Sequence, residues 1–170
     1  KEIKMNNKTK INQNNEVIIT KVNDPNGWLH CMSAHPVTYQ GTQYKTCEAL
    51  FQALRFEGYP DIQKAIQECP SPLTAKMIAR KNREKLNRGD KWDESISDIS
   101  LMKECLRLKL DQHPDLRAEL IKTNDAKIIE DCTTHDRESA RFWGMVMKSG
   151  QWVGDNKFGE IWMEIREEIK

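Results

Sequence analysis

The spacing of apolar residues predicts a helix that begins near residue 46. Leu50, Ala53 and Leu54 recur at helical intervals and gather on one side of such a helix. Thr46 is a preferred N-cap residue, and an acidic side chain in the first turn, Glu48, suits the positive end of the helix dipole. The sequence therefore predicts an amphipathic helix with a carboxylate in its first turn.

A second stripe on the same helix is polar. Glu48, Gln52 and Arg55 are spaced i, i+4 and i+7, so they share one face. Most surface helices carry such a stripe against solvent, and the pattern alone favours that interpretation. The alternative is that the stripe holds a functional carboxylate.

Further helices are predicted at residues 61–68, from Pro72 with Ser71 as N-cap, at 95–110, from Pro114 to about residue 123, and after Asn156. In the helix that begins at Pro72, the side chains of Leu73, Met77 and Ile78 are expected to face the core. Its cationic end, including Arg80, suits the negative end of the helix dipole.

Short β segments are predicted at residues 16–22, in a hairpin over 37–44 that turns at Gly41, and at 126–131. Residues 132–144 are expected to form a long loop, which in compact domains is usually functional. The fold class is therefore α+β, a single mainly helical domain with a small β portion.

Length and composition limit the number of domains, the cellular compartment and the kind of partner. A chain of 170 residues suits one domain, expected at residues 16–170, after a lysine- and asparagine-rich segment 1–15 expected to be disordered or tag-like. No apolar run could cross a bilayer, and an odd number of cysteines without a Cys-x-x-Cys pair favours reduced thiols in the cytoplasm. The net charge of +1 argues against bulk nucleic-acid binding and mildly favours a small-molecule substrate.

Two other site chemistries receive little support. His30, Cys31 and His35 lie close together, but no second Cys/His pair stands at ligand spacing, so no zinc site is expected. Cys47 precedes Glu48, yet no histidine is tied to it by a motif. We therefore expect Cys47 to fill the core rather than to act as a nucleophile.

Short motifs in a fixed order cover the chain from about residue 27 to its end, and together they resemble the NADAR family. They are Gly27-Trp28-Leu29, residues 44–48 with Phe51-Gln52-Ala53, Ala79-Arg80, Lys91-Trp92-Asp93, Ile129-Glu130-Asp131, Asp136, Phe142-Trp143-Gly144, residues 155–159, Met163 and Arg166. The resemblance lies in their order and spacing.

The resemblance implies an N-glycosidase that hydrolyses the bond between ribose C1 and a nitrogen. The implied substrate is either ADP-ribose attached to guanine of nucleic acid, including ADP-ribosylated DNA, or a ribosylaminopyrimidine phosphate of riboflavin synthesis. It implies no cofactor and no metal, and it leaves the oligomeric state open. Because such cleavage builds positive charge on the sugar, the carboxylate of Glu48 is expected to stabilise the cation and activate water.

The resemblance also assigns roles to other residues. Asp136 or Glu130 would protonate the leaving nitrogen or position Glu48. Trp92 and Trp143 would flank the leaving ring, with Trp28 and Gly144 nearby. Arg80 and the turn at Asn156 would hold phosphate or ribose hydroxyls. The plainer alternatives are a core anchor for Trp92, a dipole partner for Arg80 and a helix cap for Asn156.

Two departures from the family pattern keep other functions open. His30-Cys31 stands where the family usually has Ser-Asn, and the loop between Asp136 and Trp143 is longer. A binding module that recognises ADP-ribose or a related nucleotide without cleaving it is therefore the main alternative. A third is a helical interaction domain, in which Glu48, Trp92 and Trp143 would lie in unrelated places.

Overall fold

A computed structural model describes residues 8–86 and 96–170, with side chains at 96 and 97 left out. In these ranges the helices are α1 Cys47–Leu54, α2 Pro60–Glu68, α3 Pro72–Lys81, α4 Ile96–Gln112, α5 Pro114–Lys122, α6 Glu138–Trp143 and α7 Lys157–Ile169. The strands are β1 Glu16–Ile19, β2 Val37–Tyr39, β3 Thr42–Tyr44, β4 Lys127–Glu130, β5 Val146–Lys148 and β6 Gln151–Val153. The prediction of a mainly helical α+β fold is confirmed.

Capping residues set the predicted helix starts. The Thr46 hydroxyl accepts a hydrogen bond from the Ala49 amide at 3.1 Å, which fixes the start of α1. The Ser71 hydroxyl does the same for the Thr74 amide at 3.1 Å, and Pro72 follows at the first helical position of α3. These local signals therefore sufficed to place both helices.

The chain divides into two compact units. One is Cys31–Gln112, where α1 packs against α2, α3 and α4, and the β2–β3 hairpin precedes α1. Its core side chains include Leu50, Phe51, Phe56, Ile66, Leu106 and Leu110. This arrangement puts α1, which carries Glu48, at the centre of its unit.

The other unit joins Lys1–His30 to His113–Lys170. In it β1 pairs in parallel with β4, and α7 packs on β4. Trp28 is buried with its ring edge-on to that of Trp162, at 6.3 Å between centroids, and the Trp162 indole donates to the Leu29 carbonyl at 3.0 Å. Trp28 is thus a core residue of this unit.

The N-terminal segment is described from residue 8 onward. The Thr9 hydroxyl donates to the Glu119 carboxylate at 2.7 Å, and the Lys10 amide donates to the Asn26 side-chain carbonyl at 2.6 Å. Residues 8–15 therefore make specific hydrogen bonds in the structure. Across the described ranges, no helix is both long and apolar enough to cross a membrane.

Two expectations about local structure were wrong. Leu73 and Met77 are 62% and 64% exposed, whereas Ala75 and Ala79 are the buried residues of α3. The two alanines, rather than these larger side chains, therefore form the buried face of α3. The expected loop at 132–144 contains a 3-10 turn, Thr133–His135, and the short helix α6, which begins without a side-chain cap.

The start of α7 is tied to β4 through Asn156. This residue has a left-handed backbone (φ 54°), and its side-chain amide donates to the Ile128 carbonyl at 2.9 Å and accepts from the Glu130 amide at 3.2 Å. It makes no side-chain cap to its own helix. A Cβ at Gly144 would lie 2.5 Å from the Glu130 carbonyl oxygen, which explains the glycine. Glu130, Gly144 and Asn156 therefore form one junction.

Substitutions at Asn156 should separate its two roles. Asn156→Ala should lower the free energy of unfolding by about 3 kcal/mol, since two hydrogen bonds are lost and alanine is strained in the left-handed region. Asn156→Gly, which tolerates this backbone, should lose roughly 1 kcal/mol less. Urea unfolding measures both, and an unchanged stability of Asn156→Ala would contradict the structural role.

Candidate active site

Glu48 lies in the first turn of α1 and is buried. The polar stripe of Glu48, Gln52 and Arg55 is only 2%, 2% and 7% exposed. The interpretation of this stripe as a solvated face was therefore wrong. The Glu48 backbone amide donates to the Cys31 carbonyl at 2.9 Å, so the loop before β2 lies against the start of α1.

Both carboxylate oxygens of Glu48 have partners. The Cys31 thiol donates to Oε2 at 2.9 Å, and the Gln52 side-chain amide donates to Oε1 at 2.7 Å. The Lys76 ammonium, on α3, lies 4.0 Å from Oε1, and its side chain is about half exposed. Buried carboxylates need such donors, and these hold the group in one orientation.

The polar stripe continues away from Glu48. The Arg55 guanidinium donates to the Gln52 side-chain carbonyl at 2.9 Å and lies over the Phe51 ring at 5.5 Å from its centroid. Its Nε is 3.6 Å from the carboxylate of Asp98 on α4. A chain of polar contacts thus runs from Cys31 through α1 to α4.

A second buried polar group lies around Lys109 of α4. Its ammonium donates to the Ser33 hydroxyl at 2.8 Å, and the same oxygen is 2.8 Å from Nδ1 of His35. Burial lowers the pKa of Lys109 to about 8, while electrostatic interaction with Cys47 and Cys31 acts in the opposite direction. The interaction with Cys31 links this group to the surroundings of Glu48.

Cys47 does not have the properties of a nucleophile. A hydrogen bond with Cys105 and burial raise the pKa of the Cys47 thiol well above its usual value. The reactive form of cysteine is the thiolate, which these surroundings disfavour. This agrees with the expectation that Cys47 fills the core.

A cavity of about 220 Å³ opens beside the starts of α1 and α3. Most of its lining is apolar, including Met32, Ala49 and Ile66. Lys45 lies at its wall with its ammonium donating to the Cys69 carbonyl at 3.0 Å. Glu48 is not among the described residues that line it. The cavity is thus a feature apart from the carboxylate.

The other predicted residues of this unit are less informative. Arg80 is exposed on α3, one helical turn beyond Lys76. Its solvated position suits the negative helix end, and its contact with phosphate stays a prediction. Trp92, predicted to stack on the leaving ring, lies outside the described residues.

In the second unit the structure brings together Glu130, Gly144 and Asn156, as described above. Glu130 is half-buried at the end of β4, and the next strand-like contact joins Asp131 to Met145. The Asn156 side chain forms its two hydrogen bonds with the backbone of β4. Trp143 packs edge-on against Phe142 at 5.0 Å between ring centroids. Ligand contacts of these residues stay predictions.

Asp136 lies outside this junction. Its carboxylate accepts two hydrogen bonds from Arg141, at 2.7 and 2.9 Å, and lies 3.2 Å from the Lys148 ammonium. These cations hold the pKa of Asp136 well below its usual range, so the carboxyl is ionised at neutral pH. The role of Asp136, as proton donor or as a residue that positions Glu48, stays a prediction.

Comparison with known proteins covers nearly the whole chain. The NADAR domain model matches residues 12–170. N-glycosidase YbiA of Escherichia coli is 32% identical over 148 residues, which is 86% of this chain and 83% of that protein. An N-glycosidase of Nostoc punctiforme is 31% identical over 152 residues, 88% of this chain and 90% of that protein.

A solved structure of similar fold supports the same family. The NMR structure of the Escherichia coli protein YbiA matches with a TM-score of 0.69 and 28% identity, over 94% of this chain and 91% of that one. The chain belongs to the NADAR domain family. Since the Escherichia coli and Nostoc punctiforme relatives are named N-glycosidases, the predicted enzyme class, a hydrolase of N-glycosyl bonds, is confirmed at the level of the family.

Sequence reasoning missed the contact of Cys31 with Glu48 and the buried hydrogen bond between Lys109 and Ser33 in this NADAR domain. Cys31 and Ser33 come from an irregular loop and carry no periodic signal. Lys109 does carry one, because it stands three residues after Leu106 and four after Cys105 on the buried side of α4. A lysine at an apolar helical position is the signal that could have found it.

The lowered pKa of Lys109 predicts how stability changes with pH. Between pH 8 and about 10.5 the unfolded state binds a proton that the folded state has released, so stability rises with pH in this window. The free energy of unfolding of wild type minus that of Lys109→Met should therefore rise by about 3 kcal/mol across it and stay level below pH 8. Urea unfolding at a series of pH values measures this difference.

The control is Lys85→Met, since the Lys85 side chain is exposed. Its difference from wild type should stay small and level over the same pH values. A level difference for Lys109→Met as well would mean that Lys109 is not buried as the structure shows.

Proposed function

We propose that this protein hydrolyses the bond between ribose C1 and a nitrogen, with Glu48 as the essential carboxylate. The observation that carries the proposal is the burial of Glu48 between two fixed donors, Cys31 and Gln52. The proposed substrate is ADP-ribose attached to guanine of nucleic acid, or a ribosylaminopyrimidine phosphate. Membership of a family with N-glycosidase relatives supports this chemistry.

The carboxylate suits the charge that forms during cleavage. As the C1–nitrogen bond breaks, positive charge develops on the ribose ring, and a nearby anion stabilises it. Electrostatic attraction is stronger in a buried site than in water, so an enclosed carboxylate is more effective than an exposed one. Glu48 would also orient the attacking water and accept its proton.

Lys76 would join the substrate phosphate to this site. Its long side chain is half-exposed, and its ammonium lies at the edge of the Glu48 carboxylate. Arg80 follows one turn later on α3 and is exposed. Both proposed substrates carry phosphate, which lysine and arginine bind well. Lys76 and Arg80 would therefore hold the phosphate beside the sugar.

The remaining roles rest on the family resemblance. Asp136 or Glu130 would protonate the leaving nitrogen or position Glu48. Trp92 and Trp143 would flank the leaving ring. All five cysteines are free thiols in the structure, which supports a reducing compartment such as the cytoplasm as the place of reaction.

One observation favours a binding module as the second candidate. Both oxygens of Glu48 are engaged by groups of the protein itself. A site arranged in this way could bind ADP-ribose without activating water. A measurement of substrate turnover distinguishes the enzyme from the binding module.

Glu48→Gln should abolish product release while leaving the fold intact. The amide keeps the shape of the side chain but loses the charge that stabilises the sugar cation, so the rate should fall by at least about 100-fold. Mass spectrometry would follow the ribose-containing product from ADP-ribosylated guanine DNA and, separately, from a ribosylaminopyrimidine phosphate. The substrate that wild type cleaves then identifies the substrate class of the enzyme.

The matched control is Glu68→Gln at the end of α2, whose carboxylate is exposed. It should turn over substrate as wild type does. If wild type binds ADP-ribose but cleaves neither substrate, the protein is a binding module and the proposed enzymatic function is wrong.

Lys76→Met should weaken substrate binding more than the chemical step. Loss of an ammonium that contacts phosphate removes binding common to ground and transition states, so KM should rise roughly tenfold with kcat changed less than about threefold. Steady-state kinetics measure both. Lys81→Met, an exposed lysine on the same helix, is the control. An equal KM for wild type and Lys76→Met would remove Lys76 from the binding site.

A further inference from the structure

We infer that Gln52, Arg55 and Asp98 form a directional relay that positions the Glu48 carboxylate, an inference that rests on the proposed function. The relay runs from Asp98 of α4 to Arg55, from Arg55 to Gln52, and from Gln52 to Glu48. Arg55 and Asp98 are thus positioning residues that act on Glu48 through Gln52.

The direction of the relay follows from what each group can donate. A guanidinium has only donors and an ionised carboxylate has only acceptors, whereas a glutamine amide has one end of each kind. With Arg55 on one side and Glu48 on the other, the Gln52 carbonyl must face Arg55 and its NH₂ must face Glu48. The reversed amide would place donor against donor and acceptor against acceptor.

Arg55 can impose this direction because it is itself fixed. Its side chain is 7% exposed, and its guanidinium lies over the Phe51 ring with Nε 3.6 Å from the Asp98 carboxylate. A buried cation requires such a partner, and Asp98 is equally buried. The contact of Arg55 with Asp98 on α4 therefore sets which way the Gln52 amide points. This contact lies about two helical turns from Glu48.

The helix geometry makes the relay continuous. Positions i, i+4 and i+7 lie on one face, so Glu48, Gln52 and Arg55 contact one another in turn. The bond from Gln52 at 2.7 Å holds Oε1, while Cys31 holds Oε2. A carboxylate held at two points needs little reorganisation when charge develops on the substrate. Loss of the relay should therefore lower kcat rather than raise KM.

A purely structural role makes a different prediction, which a pair of variants tests. Arg55→Met removes the donor that directs Gln52, so kcat should fall by about tenfold. It also removes the ion pair of Arg55 with the buried Asp98 carboxylate, so the stability should fall as well. In Arg55→Met/Asp98→Asn the buried carboxylate is gone, so the thermal midpoint should recover while kcat stays low and KM stays within twofold of wild type. Recovery of kcat together with stability would overturn the relay.

A second measurement needs no turnover. The Gln52 side-chain NH₂ signals in a ¹⁵N–¹H spectrum, identified by their loss in Gln52→Leu, should exchange slowly with solvent in wild type because that group donates to Glu48. In the double variant they should exchange faster. Gln63, whose side-chain NH₂ donates to the Ala53 carbonyl at 3.1 Å, is the internal control and should not change.

The two arms separate the relay from the proposed function. If wild type cleaves neither substrate, the proposed N-glycosidase fails, and the exchange of the Gln52 amide still decides whether Arg55 directs it. Equal exchange in wild type and the double variant would refute the relay even if the enzyme is active.

Discussion

The burial of one carboxylate constrains the central helix of its unit. A Glu48 carboxylate removed from water requires donors, and the chain supplies a thiol from Cys31 and an amide from Gln52. The amide needs Arg55, and Arg55 in turn needs Asp98 on α4. Satisfying one charge thus fixes the loop before β2, the polar face of α1 and the packing of α4.

This constraint explains what the sequence could and could not predict. The start of α1 depends on Thr46 and its own neighbours, so local chemistry placed it correctly. Whether the stripe that begins at Glu48 meets water depends on α4, which is distant in sequence, so periodicity alone gave the wrong answer. The family resemblance selected Glu48, but it could not reveal the contact of Glu48 with Cys31 or the buried hydrogen bond between Lys109 and Ser33, which exist only after folding.

The same distinction holds in the other unit. Helix α7 and strand β4 were predictable from their patterns, but the link between them depends on the left-handed backbone of Asn156. Asp136 matched a family motif, yet its neighbours Arg141 and Lys148 hold it ionised. A motif therefore identifies a residue, whereas its chemistry depends on the groups that folding places around it.

The most direct measurement of the central claim is a crystal structure of Glu48→Gln with an uncleaved ribosyl substrate bound. The account predicts that the side chain at position 48 lies within about 3.5 Å of ribose C1 or of a single water that contacts C1. It also predicts that Gln52 still donates to that side chain. Substrate bound with its C1 remote from position 48 would contradict the role of Glu48 in cleavage.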